Sequence, residues 1–130
     1  MSEAFVLDAS ALLCLLRAET GAEAVAEVLP QSVIGAVNLS EVYAKLAEAG
    51  GAEAQITQAL GVLRLAIEPF DDEQARMAGI LRLPTRPLGL SLGDRACLAL
   101  AKQRRSVAVT TDRAWSRLPA DLGLSVRIVR

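Results

Sequence analysis

The chain contains no histidine. This excludes Ser-His-Asp and Cys-His triads, ribonuclease chemistry that relies on imidazole, and zinc sites completed by a His ligand. No GxxxxGKS/T and no GxGxxG occurs, so neither a P-loop nor a dinucleotide fingerprint is present. Aromatic residues are scarce at 3%, against 52% apolar residues in all. The core therefore has to be built from Ala, Leu, Val and Ile, a composition that suits helices packed on a sheet and argues against disorder. No apolar run reaches the ~18 residues that mark a bilayer-crossing helix. Met1 leads almost directly into an apolar strand without a signal-peptide pattern, so a cytoplasmic location and no membrane association are expected. The two cysteines, Cys14 and Cys97, lie in apolar helical stretches with no CxxC neighbour and read as buried free thiols.

What is present is enough for a single domain over residues 1–130. The net charge is −1, but it is unevenly spread: residues 1–65 sum to −5 and residues 66–130 to +4. The cations are 12 Arg and 2 Lys. Arginine suits forked contacts to phosphate oxygens, although a GC-rich genome gives the same bias.

Strand and helix patterns alternate, which predicts a parallel sheet covered on both faces: an α/β, three-layer α/β/α sandwich. Strands are expected at 4–8, 33–37, 65–68, 107–111 and 126–129. Helices are expected at 10–18, 21–29, 39–49, 52–64, 72–82, 92–104 and 113–118. Pro84, Pro87 and Gly89 mark residues 83–89 as a loop.

Four acids occupy strand–helix junctions in this pattern. Asp8 closes the run Ala4-Phe5-Val6-Leu7, and Glu41 opens the helix after Val33–Val37. Asp94 opens the helix after Ser91, and Asp112 closes Val107–Thr111. In an open α/β sheet such junctions gather along one edge, where ligands bind. Carboxylates collected there repel one another unless a hard cation lies between them, and magnesium or manganese prefers these oxygen donors. Each acid also has a plain role as a helix cap. Asn38-x-x-Glu41 and Ser91-x-x-Asp94 match capping boxes, and Asp8 and Asp112 fit N-cap positions, each worth about 1 kcal/mol. Capping does not require all four on one edge, nor an acid at the end of a wholly buried strand, which is costly without a positive partner. The chemistry left open by the absent motifs is attack on a phosphodiester by metal-activated water.

At these acids the chain resembles the PIN-domain family, and more narrowly the VapC toxins of toxin–antitoxin pairs. Phe5-Val6-Leu7-Asp8-Ala9-Ser10-Ala11 resembles the family's first motif and Leu39-Ser40-Glu41-Val42 its second. Leu90 to Ala101 around Asp94 resembles the third, and Val109-Thr110-Thr111-Asp112-Arg113-Ala114-Trp115 the fourth. The resemblance runs from residue 5 to about 129. It implies a PIN-like sandwich in which Asp8, Glu41, Asp94 and Asp112 are the catalytic tetrad holding Mg2+ or Mn2+, with Ser10 and Thr111 as small hydroxyl residues near the metal. It further implies endoribonuclease activity on RNA, usually structured RNA such as tRNA, a homodimer, and a cognate antitoxin that covers the active site. A fifth acid found in some relatives has no match here.

Other residues invite two readings each. Arg82 and Arg86 flank the proline loop and are candidates for guiding an RNA backbone, or are solvated loop residues. Arg95 and Arg113 follow acids, so they could contact phosphate or balance the acidic pocket. Trp115 could stack on a base but fits a core position better. The dense apolar residues of 10–18 and 39–64 exceed what one core face needs and could line a groove for a partner helix. Three other classes compete: a PIN-like nuclease of RNA processing, a catalytically silent module of the same fold, and a receiver-type phosphoacceptor. The last needs a lysine at the edge of a late strand, and Lys102 falls within an expected helix.

Overall fold

The computed structural model describes residues 3–130. Its centre is a five-stranded sheet in the order β3-β2-β1-β4-β5. The strands are β1 (Phe5–Leu7), β2 (Ser32–Gly35), β3 (Ala66–Glu68), β4 (Val107–Thr110) and β5 (Val126–Ile128), and every pairing is parallel. The helices are α1 (Ala9–Leu16), α2 (Ala22–Val28), α3 (Ala36–Glu48), α4 (Glu53–Leu63), α5 (Asp72–Ile80) and α6 (Leu92–Gln103). The stretch expected as a helix at 113–118 is a 3-10 helix over Arg113–Arg117, and the proline loop contains a 3-10 turn at Arg86–Leu88.

Side chains alternate across the central strands as the two-residue period of a strand requires. Val6 and Ala108 face one side, where Leu98, Ala101, Cys97 and Trp115 complete a cluster under α6. Phe5, Leu7 and Val109 face the other, against Ala11 of α1 and Val25 and Val28 of α2. A third cluster joins Leu12 and Leu13 of α1 to Ile34 and Val42. Helices thus cover both faces of a sheet whose central strand β1 is wholly apolar and whose neighbours carry one hydroxyl each, Ser32 and Thr110, close to the pattern expected of buried parallel strands. Trp115 is core, 1% exposed, so stacking on a base is ruled out for this arrangement. Both cysteines are free and buried, and burial pushes the Cys97 thiol well up.

The strand order fixes where a ligand can enter. From β1 the chain moves outward to β2 and then β3, then crosses back to β4 on the other side of β1 and on to β5. The direction reverses between β1 and β4, and beyond the carboxyl ends of those two strands lies the crevice of such a sheet. Asp8 and Asp112 follow β1 and β4 there.

The second strand ends two residues earlier than expected, and the helix after it begins at Ala36 rather than 39. Gly35 takes the N-cap position in extended backbone, so Val37 and Asn38 join the helix. Glu41 consequently lies within α3 and does not open it. No helix of the described residues is long and apolar enough to cross a membrane.

Candidate active site

Asp8 sits immediately after β1 and is 4% exposed. It is the N-cap of α1, with Oδ1 accepting from the Ala11 amide at 2.8 Å and from Ser10 Oγ at 2.7 Å. Its Oδ2 accepts from Thr110 Oγ1 at 2.5 Å. The same threonine oxygen accepts the Asp112 amide at 3.0 Å, and Ser10 Oγ accepts the Thr111 amide at 3.0 Å. These bonds tie the ends of β1 and β4 to the start of α1. Burial outweighs them: the Asp8 carboxyl is pushed from 3.8 to about 6, with the neighbouring Asp94 adding to the rise.

Glu41 comes from α3, half-buried, and its Oε1 accepts from Asn38 Nδ2 at 3.0 Å. Its pKa is raised, chiefly by burial; Asp94 adds to that rise, while Asn38 and Lys45 oppose it. Asp94 is the third residue of α6 and forms the expected capping box: the Asp94 amide donates to Ser91 Oγ at 3.1 Å, and the Ser91 amide donates to Asp94 Oδ2 at 3.0 Å. Asp112 caps the 3-10 helix through the Ala114 amide at 2.9 Å. Three of the four acids are therefore caps as well as site candidates. Glu41 is not, because Asn38 lies inside the helix and turns its side chain onto the glutamate.

The four acids line one cavity of about 220 Å³, together with Ser10, Asn38 and Lys45. They come from four separate segments of the chain. Among the described residues, however, no three acidic, histidine or cysteine side chains converge on a ready-made ion cage. Each carboxylate is turned onto its own local donor.

The remaining candidates separate. Ser10 is in the cavity lining. Thr111 contributes its backbone amide, whereas the hydroxyl that meets Asp8 is that of Thr110. Arg95 is buried and turned toward α5, with Nη1 donating to the Ala78 carbonyl at 2.9 Å and Nε without a partner among the described residues. The structure does not bring it to the acidic cavity. Arg86 lies exposed on the 3-10 turn of the proline loop, and Arg82 and Arg113 are exposed as well; none of them is in the cavity lining. Lys45 and Asn38 are in the lining without having been singled out as site residues. The i, i+4 spacing of Glu41 and Lys45 on one helix face was the available signal for the lysine.

The donor set fits a hard divalent cation. It offers carboxylate and hydroxyl oxygens with no soft sulfur or imidazole, in a cavity where two of the carboxyls are held above their ordinary pKa by burial and by a neighbouring charge. The packing also leaves room there for a carboxylate, since a Cβ on Gly93 would lie 2.3 Å from Glu41 Oε1.

A larger, mainly apolar groove of about 290 Å³ opens elsewhere, between α1, α3 and α4 beside β3, lined by Leu12, Leu39, Tyr43, Leu60 and Ile67 among others. The Leu12-Leu13-Cys14 run of α1 is itself core. Of the exposed large apolar residues, Ile67 lies in this groove, whereas Val62, Ile80, Leu83 and Leu92 lie outside it.

Comparison with solved structures places the fold among toxin–antitoxin proteins. A chain of VapBC2 from Rickettsia felis, solved bound to a DNA fragment from its promoter, superposes with a TM-score of 0.74 at 17% identity, covering 96% of this chain and 98% of that one. A toxin–antitoxin complex from Klebsiella pneumoniae gives 0.74 at 21% identity, with 98% of each chain covered. VapBC-5 from Mycobacterium tuberculosis gives 0.64 at 26% identity, with 99% of each covered. A comparison with curated protein sequences gave no match. The PIN domain model matches residues 5–121, nearly the whole span from β1 to the last 3-10 turn with all four acids inside it, and the chain belongs to the PIN-domain family.

Proposed function

We propose that the acidic cavity is the active site of a Mg2+- or Mn2+-dependent endoribonuclease, and that the chain is the toxin of a toxin–antitoxin pair. The observation that carries this reading is the gathering of Asp8, Glu41, Asp94 and Asp112 around one cavity at the switch point of the sheet. Those four residues would hold the ion. When bound, a divalent cation supplies an activated water and neutralises charge on the phosphodiester during in-line displacement. Ser10 and Thr110 hold Asp8 in place on its two oxygens. Lys45, at the cavity rim, offers a cation to the phosphate backbone. Exposed Arg82, Arg86, Arg113 and Arg117 supply positive charge in the basic half of the chain for attracting RNA. Arg95 has no part in that contact, since its guanidinium is committed to α5.

The toxin assignment is supported by the fold shared with chains of toxin–antitoxin complexes, two of them VapBC, over almost their entire length. The cognate antitoxin is the partner this reading requires, and the apolar groove beside α3 and α4 offers a place for an apolar antitoxin segment. A homodimer and structured RNA as substrate belong to the same proposal. Sequencing of RNA ends after brief induction in cells tests it. New ends confined to a few RNAs, absent with Asp94→Asn, are expected; identical end profiles for the two proteins would refute the assignment.

A further inference from the structure

Glu41 differs from the other three acids in how it reaches the cavity. It is the one that caps nothing, and it lies more than a turn inside its helix. Two residues, Gly93 and Asn38, account for its position.

The first is Gly93, the second residue of α6 and buried. Glu41 lies directly over its Cα: a Cβ built there would be 2.3 Å from Oε1, 2.5 Å from Oε2 and 2.6 Å from Cδ of Glu41. Real side-chain carbons do not approach so closely, so any residue but glycine forces the carboxylate elsewhere. Its φ is not in the left-handed region, and the backbone itself would accept alanine.

The second is Asn38, 1% exposed. Its Nδ2 donates to Glu41 Oε1 at 3.0 Å and to the Gly93 carbonyl at 3.0 Å. Both partners are acceptors, which fixes the amide orientation. The amide therefore spans from α3 to the first turn of α6 and clamps the carboxylate over the glycine. Its Oδ1 is buried with no hydrogen-bond partner among the described residues, a cost that a purely structural residue at this position would avoid.

We propose that Asn38 and Gly93 are positioning residues for Glu41: Gly93 leaves the space into which the carboxylate fits, and Asn38 holds it there facing the cavity. The inference rests on the reading of Glu41 as a ligand of the divalent ion. Groups that orient a metal ligand typically carry about 10- to 100-fold in metal affinity.

The test is Mn2+ binding by titration calorimetry, with thermal melts in chelator, for the wild-type chain, Glu41→Gln, Asn38→Ala, Gly93→Ala and the Asn38→Ala/Glu41→Gln double variant. Asn38→Ala and Gly93→Ala are each expected to weaken Mn2+ binding about tenfold or more. Gly93→Ala is expected to do so with an unchanged or higher melting temperature, because alanine is the better helix former and the displaced group is the far end of a long side chain with other rotamers open to it. The double variant is expected to bind no more weakly than Glu41→Gln alone, since Asn38 acts through Glu41. Wild-type affinity in a folded Gly93→Ala protein would overturn the inference while leaving the metal reading intact. Absence of Mn2+ binding by the wild type, or no effect of Glu41→Gln, would overturn both. Should Asn38→Ala fail to fold, Gly93→Ala alone decides.

Discussion

Thr110 Oγ1 donates to Asp8 Oδ2 at 2.5 Å across the β1–β4 pair. The parallel register makes this contact: Leu7 pairs with Val109, the Asp8 amide donates to the Val109 carbonyl at 3.0 Å, and one residue further on Asp8 and Thr110 stand side by side. The threonine is fully buried, and the same oxygen receives the Asp112 amide. It therefore links the acids that follow the two strands.

Replacement of Thr110 by Val preserves shape but removes both contacts. The buried Asp8 Oδ2 loses its donor, at about 1–3 kcal/mol for a buried group left unsatisfied, and the part-buried Asp112 amide loses its acceptor. The expected result is a lower urea midpoint and weaker Mn2+ binding. Thr111→Val, whose hydroxyl contacts neither acid, is expected to leave both near wild type. The two variants compared by urea denaturation and calorimetry distinguish the roles of the adjacent threonines.

Asp8 makes the fold pH-dependent in a direction opposite to that of a salt-bridged acid. Its folded pKa, about 6, lies above the ordinary 3.8. Between those values the folded state holds the proton more tightly than the unfolded chain, so stability without metal falls as pH rises from about 4 through 6 and is level above. A shift of this size corresponds to about 3 kcal/mol. Asp8→Asn removes the buried charge. In chelator at pH 8 it is expected to melt above wild type, with the difference vanishing near pH 4. Equal melting curves at pH 8 would contradict a buried, charged Asp8. Added Mn2+ should raise the wild-type melting temperature and leave that of Asp8→Asn unmoved, because only an ion bound to the folded state stabilises it.

Arg95 is expected to matter for the fold and not for RNA. Its Nη1 bond to the Ala78 carbonyl joins α6 to α5. Arg95→Ala leaves that carbonyl unpaired and a void in the core, with an expected loss of about 2–4 kcal/mol. RNA affinity of the folded variant, measured by filter binding, should match wild type, whereas Arg86→Ala should weaken it and reduce its salt dependence.

The sequence made the sheet, the layer order and the placement of the acids legible because each rests on a local rule. An apolar run ending in a carboxylate, a serine three residues before an aspartate, and glycine or proline between periodic stretches all act within a few residues. What escaped depends on register and on helix phase. Thr110 and Thr111 are indistinguishable until the β1–β4 pairing sets which hydroxyl stands beside Asp8. Arg95 follows Asp94 directly, but adjacent helical residues diverge by about 100°, so the acid reaches the cavity while the arginine turns to α5. Asn38 read as a cap because Asn-x-x-Glu is a capping pattern. Gly35 had already supplied the helix start, which freed the amide to reach across to Gly93.

The most direct measurement is cleavage of purified structured RNA by the purified chain, with Mg2+ or Mn2+ and with chelator, beside Asp8→Asn. The account predicts cleavage that appears with the ion, disappears with chelator, and is lost by at least 100-fold in the variant, on the order of what removal of a key electrostatic group costs. Undiminished cleavage in chelator, or by folded Asp8→Asn with the ion present, would contradict a nuclease built on these carboxylates.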